Sequence, residues 1–202
     1  MTNEQRYSDQ ITTMTRDELL AKIQTQLKPA RFAHVQRVEA TAVRLAAKYG
    51  VDQEKASIAG LVHDYAKQRP DQDFIDAIKA NQLDPDLLNW NNAIWHGVVG
   101  PVFIKAELHI YDEEILDAVR YHTTGNRFMT PLAQIIYMAD YIEPGRDFDG
   151  VEQARLLTDQ DLALAVAYQT KHTLAYLIAN NQPVYPKTLA TYNAWVPQSQ
   201  LD

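Results

Sequence analysis

Apolar residues recur at intervals of three and four along almost the whole chain, and no stretch alternates apolar with polar as a half-buried strand would. The spacing predicts an all-α fold. Thr15 followed by Glu18 has the form of a capping box, opening a helix whose apolar face carries Leu19, Leu20, Ile23 and Leu27, with Pro29 as its stop. A second helix is expected over about 31–49, ended by Gly50. A third follows Asp52 and carries His63 and Asp64 near its end. After the break Arg69-Pro70-Asp71, Asp71 is placed to cap a short helix holding Phe74, Ile75 and Ile78. In the stretch 84–100, Trp90, Ile94, Trp95 and Val98 suit a packed helix, while Gly97, Gly100 and Pro101 call for a kink or a restart. Asp112 caps the helix leading to His122, and Gly125 closes it. Thr130-Pro131 opens the helix that carries Asp140, and Pro144-Gly145 stops that one. Two or three more helices fill 151–195. No repeat or long linker divides the chain. The expectation is one helical-bundle domain over 1–202, with its core over about 15–195.

Length and charge narrow the functional classes. A chain of 202 residues is long enough to bury a sizeable core. A net charge of -7 speaks against general nucleic-acid binding, which shows as a basic stripe. It does not exclude an anionic substrate, because a bound metal dominates its local field. With no cysteine, thiolate zinc sites, disulfides and cysteine nucleophiles are excluded. Residues 1–10 are polar, without the apolar core of a signal peptide. No apolar run approaches the roughly 20 residues that cross a bilayer. A cytoplasmic protein with no membrane partner is expected.

The candidate chemistry starts at His63-Asp64, an adjacent pair after the apolar run Ile58-Ala59-Gly60-Leu61-Val62. Of the six histidines, His34, His63, His96 and His122 lie in or beside apolar helical segments. Asp140 lies within the apolar segment 135–142, where an unpaired charge is costly. Taken singly, each has an ordinary reading. A lone histidine is a core residue satisfied by backbone, Asp140 an ion-pair partner of Arg37 or Arg44, and Asp64 a cap. Taken together, imidazole nitrogens and carboxylate oxygens make a ligand set for a borderline divalent ion. His109 and His172, set among Lys105, Glu107 and Lys171, read as surface histidines.

The order His34, His63-Asp64, Asp140 resembles the H…HD…D signature of the HD-domain metallophosphohydrolase superfamily. Arg31-x-x-His34, His63-Asp64-x-x-Lys67, His96-Gly97, His122-Thr123-Thr124-Gly125 and Asp140-x-Ile142-Glu143-Pro144-x-Arg146 are similar to one branch of it, the YqeK-type symmetrical diadenosine tetraphosphate hydrolases of bacteria. Pro186-x-Thr188 before Asn193 looks like that branch's ending, while Trp95 and the tail after Trp195 depart from it. The resemblance implies an HD-domain fold and a first metal held by His34, His63, Asp64 and Asp140. Asp64 then bridges to a second metal completed by His96 and His122. In a one-metal site, His96 and His122 contact substrate phosphate instead. Iron is the first choice of metal, with manganese, nickel, cobalt or zinc as alternatives. Phosphate contacts are expected from Arg31, Lys67 and Arg146 and from the hydroxyls of Thr123 and Thr124, with Arg127 a further candidate. Lys67 falls one turn after Asp64, on the same side if the helix continues. Asp64, Lys67 and Arg146 are the implied catalytic residues.

The implied reaction is hydrolysis of diadenosine tetraphosphate to two ADP, by attack of a metal-bound hydroxide on a central phosphorus. Two other readings stand beside it. Another HD-domain nucleotide phosphohydrolase or nucleotidase needs only His34, His63, Asp64 and Asp140. A non-catalytic, metal-bearing nucleotide sensor needs the ligands without turnover. Tyr65, Tyr121, Tyr137 and Tyr141 are core aromatics or, for one of them, a base-stacking surface. A homodimer is the expected assembly, with Trp90 or Trp195 as exposed contacts.

Overall fold

Most of the described helices begin where a side chain or a proline deals with the free N–H groups of the first turn, the helix after Gly150 being an exception. The protein is described here, over residues 6–199, by a computed structural model. Among the described residues there are eleven α-helices and no β-sheet, only an isolated bridge between Arg6 and Thr15. Helix α1 (Arg16–Gln26) opens with the capping box of Thr15 and Glu18 and buries Leu19 and Ile23. Helix α2 (Pro29–Tyr49) starts on Pro29 itself and ends at Gly50, whose φ is +67°. Pro29 was expected to stop α1. Instead α1 stops at Gln26 with Leu27 extended, and the proline, preset in φ and lacking an N–H, serves the first turn of α2. Helix α3 (Gln53–Val62) is capped by Asp52, whose side chain accepts from the N–H groups of Glu54 and Lys55.

Helices α2 and α3 pack closely, and Gly60 is what lets them. A Cβ there would lie 2.8 Å from Glu39 Cα on α2. Helix α4 (Asp71–Ala80) has Pro70 as its N-cap, so Asp71 is its first helical residue and not the expected cap. The stretch 84–108 breaks into a 3₁₀ turn (Pro85–Asn89), α5 (Asn92–Val98), α6 (Gly100–Phe103) and a π turn (Ile104–Leu108). The restart falls at Gly100-Pro101, as expected. Helix α7 (Glu113–Tyr121) is capped by Asp112, and α8 (Pro131–Ile142) by Thr130 with Pro131 in its first turn. Three helices follow, α9 (Val151–Gln160), α10 (Leu162–Ala179) and α11 (Pro186–Trp195).

The core lies where α2, α3, α7 and α8 meet, and buries Val35, Val38, Leu61, Val62, Ile115, Val119, Ile135 and Met138. Helix α10 packs on α8, α9 and α11. Tyr65 and Tyr137 are buried, the latter with its hydroxyl 3.0 Å from that of Thr170. Neither tryptophan expected at a dimer contact stands free. Trp90 packs edge-on against Tyr185, and Trp195 donates from Nε1 to the carbonyl of Asn126 at 2.9 Å.

Candidate metal centre

Five elements each bring one or two side chains to a common centre. Helix α2 supplies His34, the end of α3 supplies His63 and Asp64, α5 supplies His96, the end of α7 supplies His122, and α8 supplies Asp140. All six expected ligands therefore meet. His34, His63, Asp64, His96 and His122 are buried.

The backbone sets how each ring faces. His63 and His122 sit at the C-caps of α3 and α7, where the last carbonyls lack amide partners. His63 Nδ1 donates to the Gly60 carbonyl at 2.7 Å, and His122 Nδ1 to that of Val119 at 2.7 Å. His96 Nδ1 donates to the Asn92 carbonyl at 2.6 Å. With the proton held on Nδ1, each Nε2 is left as a lone pair. In α2, His34 Nδ1 faces Glu143 Oε1 at 3.1 Å.

The four Nε2 atoms converge on the carboxylates. His34 Nε2 lies 3.1 Å from Asp140 Oδ1 and 3.8 Å from Asp64 Oδ2. His63 Nε2 lies 3.5 Å from Asp64 Oδ2 and 3.9 Å from Asp140 Oδ1. On the other side, Asp64 Oδ1 is 3.5 Å from His96 Nε2 and 3.7 Å from His122 Nε2. The Nε2 atoms of His96 and His122 are 3.1 Å apart, with the Thr123 hydroxyl 3.0 Å from each. One hydroxyl proton serves only one of them. Nε2 of His34 and of His63 are buried with no hydrogen-bond partner.

Buried lone pairs facing carboxylate oxygens and one another repel unless a cation lies among them. The donor set, imidazole nitrogen with carboxylate oxygen, suits a divalent transition ion. The residues thus form a divalent-metal site. The buried carboxylates and rings also shift one another's protonation. Burial alone would raise the Asp64 pKa, but His63, His122 and His96 hold it well below the usual carboxylate range. Burial alone would lower the His63 pKa, but Asp64 and Asp140 raise it. His96 is pushed down to about 3, chiefly by burial, and stays neutral as a ligand must.

Cations ring the cluster. Arg31 Nη1 pairs with Asp64 Oδ2 at 2.9 Å, and Arg146 Nη2 with Asp140 Oδ1 at 2.5 Å. Asp140 does not pair with Arg37 or Arg44, which are bound to Glu143 and Asp159. Lys67 arrives by a route different from the expected one. Helix α3 stops at Val62, and tight turns follow in which the Tyr65 and Lys67 N–H groups bond to the carbonyls of Val62 and Asp64. Those turns still carry Lys67 Nζ to 3.2 Å from His96 Nε2. Burial lowers the Lys67 pKa, and Asp64 opposes the shift.

Thr124 differs from Thr123. It is buried, and its hydroxyl donates to the Gly125 carbonyl, away from the cluster's nitrogens. Arg127 is exposed on the loop beyond. His109 and His172 are exposed, as expected, the latter stacked on Tyr168.

Glu143 and Arg37 were not among the expected site residues. Arg37 Nε donates to Glu143 Oε2 at 2.5 Å, and the Gly145 N–H donates to the same oxygen at 2.6 Å. Their sequence signal is positional: Arg37 lies three residues after His34, and Glu143 three after Asp140.

Comparison with known proteins adds an independent line. Residues 31–145 match the family described as HD domain. The chain is 44% identical over 180 residues to the symmetrical bis(5'-nucleosyl)-tetraphosphatase of Bacillus subtilis (strain 168), covering 89% of this chain and 97% of that protein. It is 40% identical to the protein of the same name from Halalkalibacterium halodurans, covering 89% of this chain and 96% of that one. A crystal structure from Clostridium acetobutylicum, described as a "predicted HD superfamily hydrolase involved in NAD metabolism", superposes with a TM-score of 0.86 at 35% identity. It covers 96% of this chain and 100% of that one.

Proposed function

The chain belongs to the HD-domain family, and from that premise we propose that it hydrolyses diadenosine tetraphosphate symmetrically to two ADP. The observation that carries the reading is the division of Asp64 at the cluster's centre, with Oδ2 toward His34 and His63 and Oδ1 toward His96 and His122. That division supports a dinuclear site bridged by Asp64, with His34, His63 and Asp140 on one side and His96 and His122 on the other. Iron is the proposed metal, with manganese, nickel, cobalt or zinc able to use the same donors. Bound there, such a pair supplies an activated water and takes up charge on the phosphoryl group.

The chain's own residues do the rest. Lys67, partly buried beside His96, sets a positive charge against the equatorial phosphoryl oxygens. Arg31 and Arg146 each spend part of the guanidinium on a ligand carboxylate and keep other N–H donors, partly solvent-facing, for the phosphate chain. The Thr123 hydroxyl offers one more donor; Thr124 acts through the loop backbone. The water oxygen joins one central phosphorus, the bond from that same phosphorus to the bridging oxygen breaks, that oxygen leaves as part of the other ADP, and the water's proton passes to solvent. No protein nucleophile is required.

On this reading 1–202 form one domain, working in the cytoplasm on a small dinucleotide and not on nucleic acid or a membrane, with a homodimer as the larger assembly. No described helix is long and apolar enough to cross a membrane.

The test pairs metal analysis of anaerobically purified protein with product analysis on diadenosine tetraphosphate. ADP alone, from protein holding close to two metals per chain, is expected. AMP with ATP would overturn the cleavage position. Metal without turnover would favour a sensor or another nucleotide substrate.

A further inference from the structure

Past Thr123 the chain leaves the metal cluster by a loop fastened at both ends. Gly125 takes φ +65°, and its N–H closes on the Tyr121 carbonyl at 2.8 Å. From α11, Thr191 Oγ1 donates to the Thr124 carbonyl at 3.0 Å, and Trp195 Nε1 reaches the Asn126 carbonyl. Met129 is buried, and Thr130 caps α8. Between these anchors Arg127 and Phe128 project outward. Phe128 is 74% exposed, more than any other large hydrophobic side chain among the described residues. Arg127 has no ion pair or hydrogen bond among the described residues.

Both residues line a cleft of about 940 Å³, shared with Asp161, Asn193, Trp195 and Gln198. Its volume is that of a small-ligand site. Asp161 caps α10, where its Oδ1 accepts from the Leu164 N–H, so one of its two carboxylate oxygens is committed. What remains open is an aromatic face, a free guanidinium, the Asn193 amide and the amide oxygen of Gln198, whose nitrogen donates to the Ala194 carbonyl at 2.8 Å. That is the chemistry of a nucleoside: a flat π surface for stacking, a cation for phosphate, and amides for a base edge.

No metal ligand lines the cleft, and the loop from His122 to Arg127 is what links the two. Arg127 is five residues after His122, so at most roughly 17 Å of backbone separates them. A two-ended dinucleotide cleaved between its middle phosphates must extend at least one nucleoside beyond the metals. We propose that this cleft seats one nucleoside of the substrate, with Phe128 stacked on the purine and Arg127 against the phosphate arm. The proposal rests on the hydrolase reading and adds the determinant of nucleoside recognition to it. Because the loop is tied down by Thr191 and Trp195, the ring is presented without further ordering, which lowers the cost of binding.

Phe128→Ala in the full-length, metal-loaded protein should raise KM for diadenosine tetraphosphate roughly tenfold, the loss of one stacked base, with kcat little changed. Phe128→Tyr should restore KM. Calorimetry separates recognition from damage to the fold. Phe128→Ala should weaken ADP binding and leave inorganic pyrophosphate binding as in the wild type. Equal loss of both ligands, or no loss of either, would overturn the proposal. If the wild type does not cleave diadenosine tetraphosphate at all, the hydrolase reading falls, and the ADP and pyrophosphate titrations still decide whether the cleft binds a nucleoside.

Discussion

Glu143 holds His34 across 109 residues of chain, with Oε1 3.1 Å from Nδ1. Arg37, one turn along α2 from His34, grips the same carboxylate, so one residue pair fixes both a ring and its tautomer. Burial alone would raise the Glu143 pKa, but Arg37, the Gly145 N–H and His34 hold it down at about 2. The acceptor is therefore charged at any working pH.

Glu143→Ala should weaken metal binding roughly 10–100-fold, the usual effect of removing a partner that orients a ligand. Competition against a chromophoric chelator measures it, with circular dichroism confirming that the helices persist. Glu143→Gln, which can still accept from His34 Nδ1, should fall between the two. Unchanged affinity in Glu143→Ala would show that His34 orients without it.

Asp64→Ala should lose bound metal and hydrolysis together, because that carboxylate faces all four histidine Nε2 atoms, whereas Asp140 faces only those of His34 and His63. Metal analysis and ADP release, measured on the same sample, check the pairing. Full activity in this variant would contradict the assignment.

Removing metal should also lower stability. A ligand bound at 100 times its Kd adds about 2.7 kcal/mol. For a chain of this size that corresponds to roughly 5–10 °C in Tm. A thermal scan with and without chelator, followed by metal add-back, tests this. A Tm indifferent to the chelator would mean that the lone pairs are satisfied some other way.

Gly60→Ala should be far more costly than a surface exchange. The added Cβ meets Glu39 Cα at 2.8 Å and Glu39 N at 3.1 Å, backbone atoms that cannot turn aside. Pushing α3 off α2 should cost about 1–3 kcal/mol and also move His63 relative to His34. Denaturant unfolding gives the first effect and metal affinity the second.

Asp112 supplies a pH test away from the metal. It caps α7 and pairs with Lys55 at 2.9 Å. Burial raises its pKa, but Lys55 and the N–H groups of Ile115 and Glu114 bring it below the ordinary 3.8. A carboxylate lowered by folding contributes stability above its unfolded pKa and loses it as pH falls through the folded value. Asparagine keeps the cap without the charge. The stability advantage of the wild type over Asp112→Asn should therefore be present near neutrality and shrink as pH falls through 3.8 and below. A difference that does not vary with pH would show that the charge plays no part.

Much of this protein was legible in the sequence. The capping box at Thr15, the caps at Asp112 and Thr130, and the stop at Gly50 are local, because the groups that satisfy a helix end lie within a few residues of it. The ligand types were legible for a related reason: histidine and aspartate on apolar helix faces have to be satisfied once buried, and six of them together leave few ways other than a metal. Pro29 is a local signal that points two ways, and only the path of α2 decided that it opens a helix. The turns that bring Lys67 onto His96, the commitment of Thr124 to Gly125, and the clamp of Arg37 and Glu143 on His34 were decided by the tertiary structure alone. Which nitrogen of a ring faces the centre depends on the partner that takes the other. For His34 that partner comes from the far end of α8, and only packing brings it within hydrogen-bond reach.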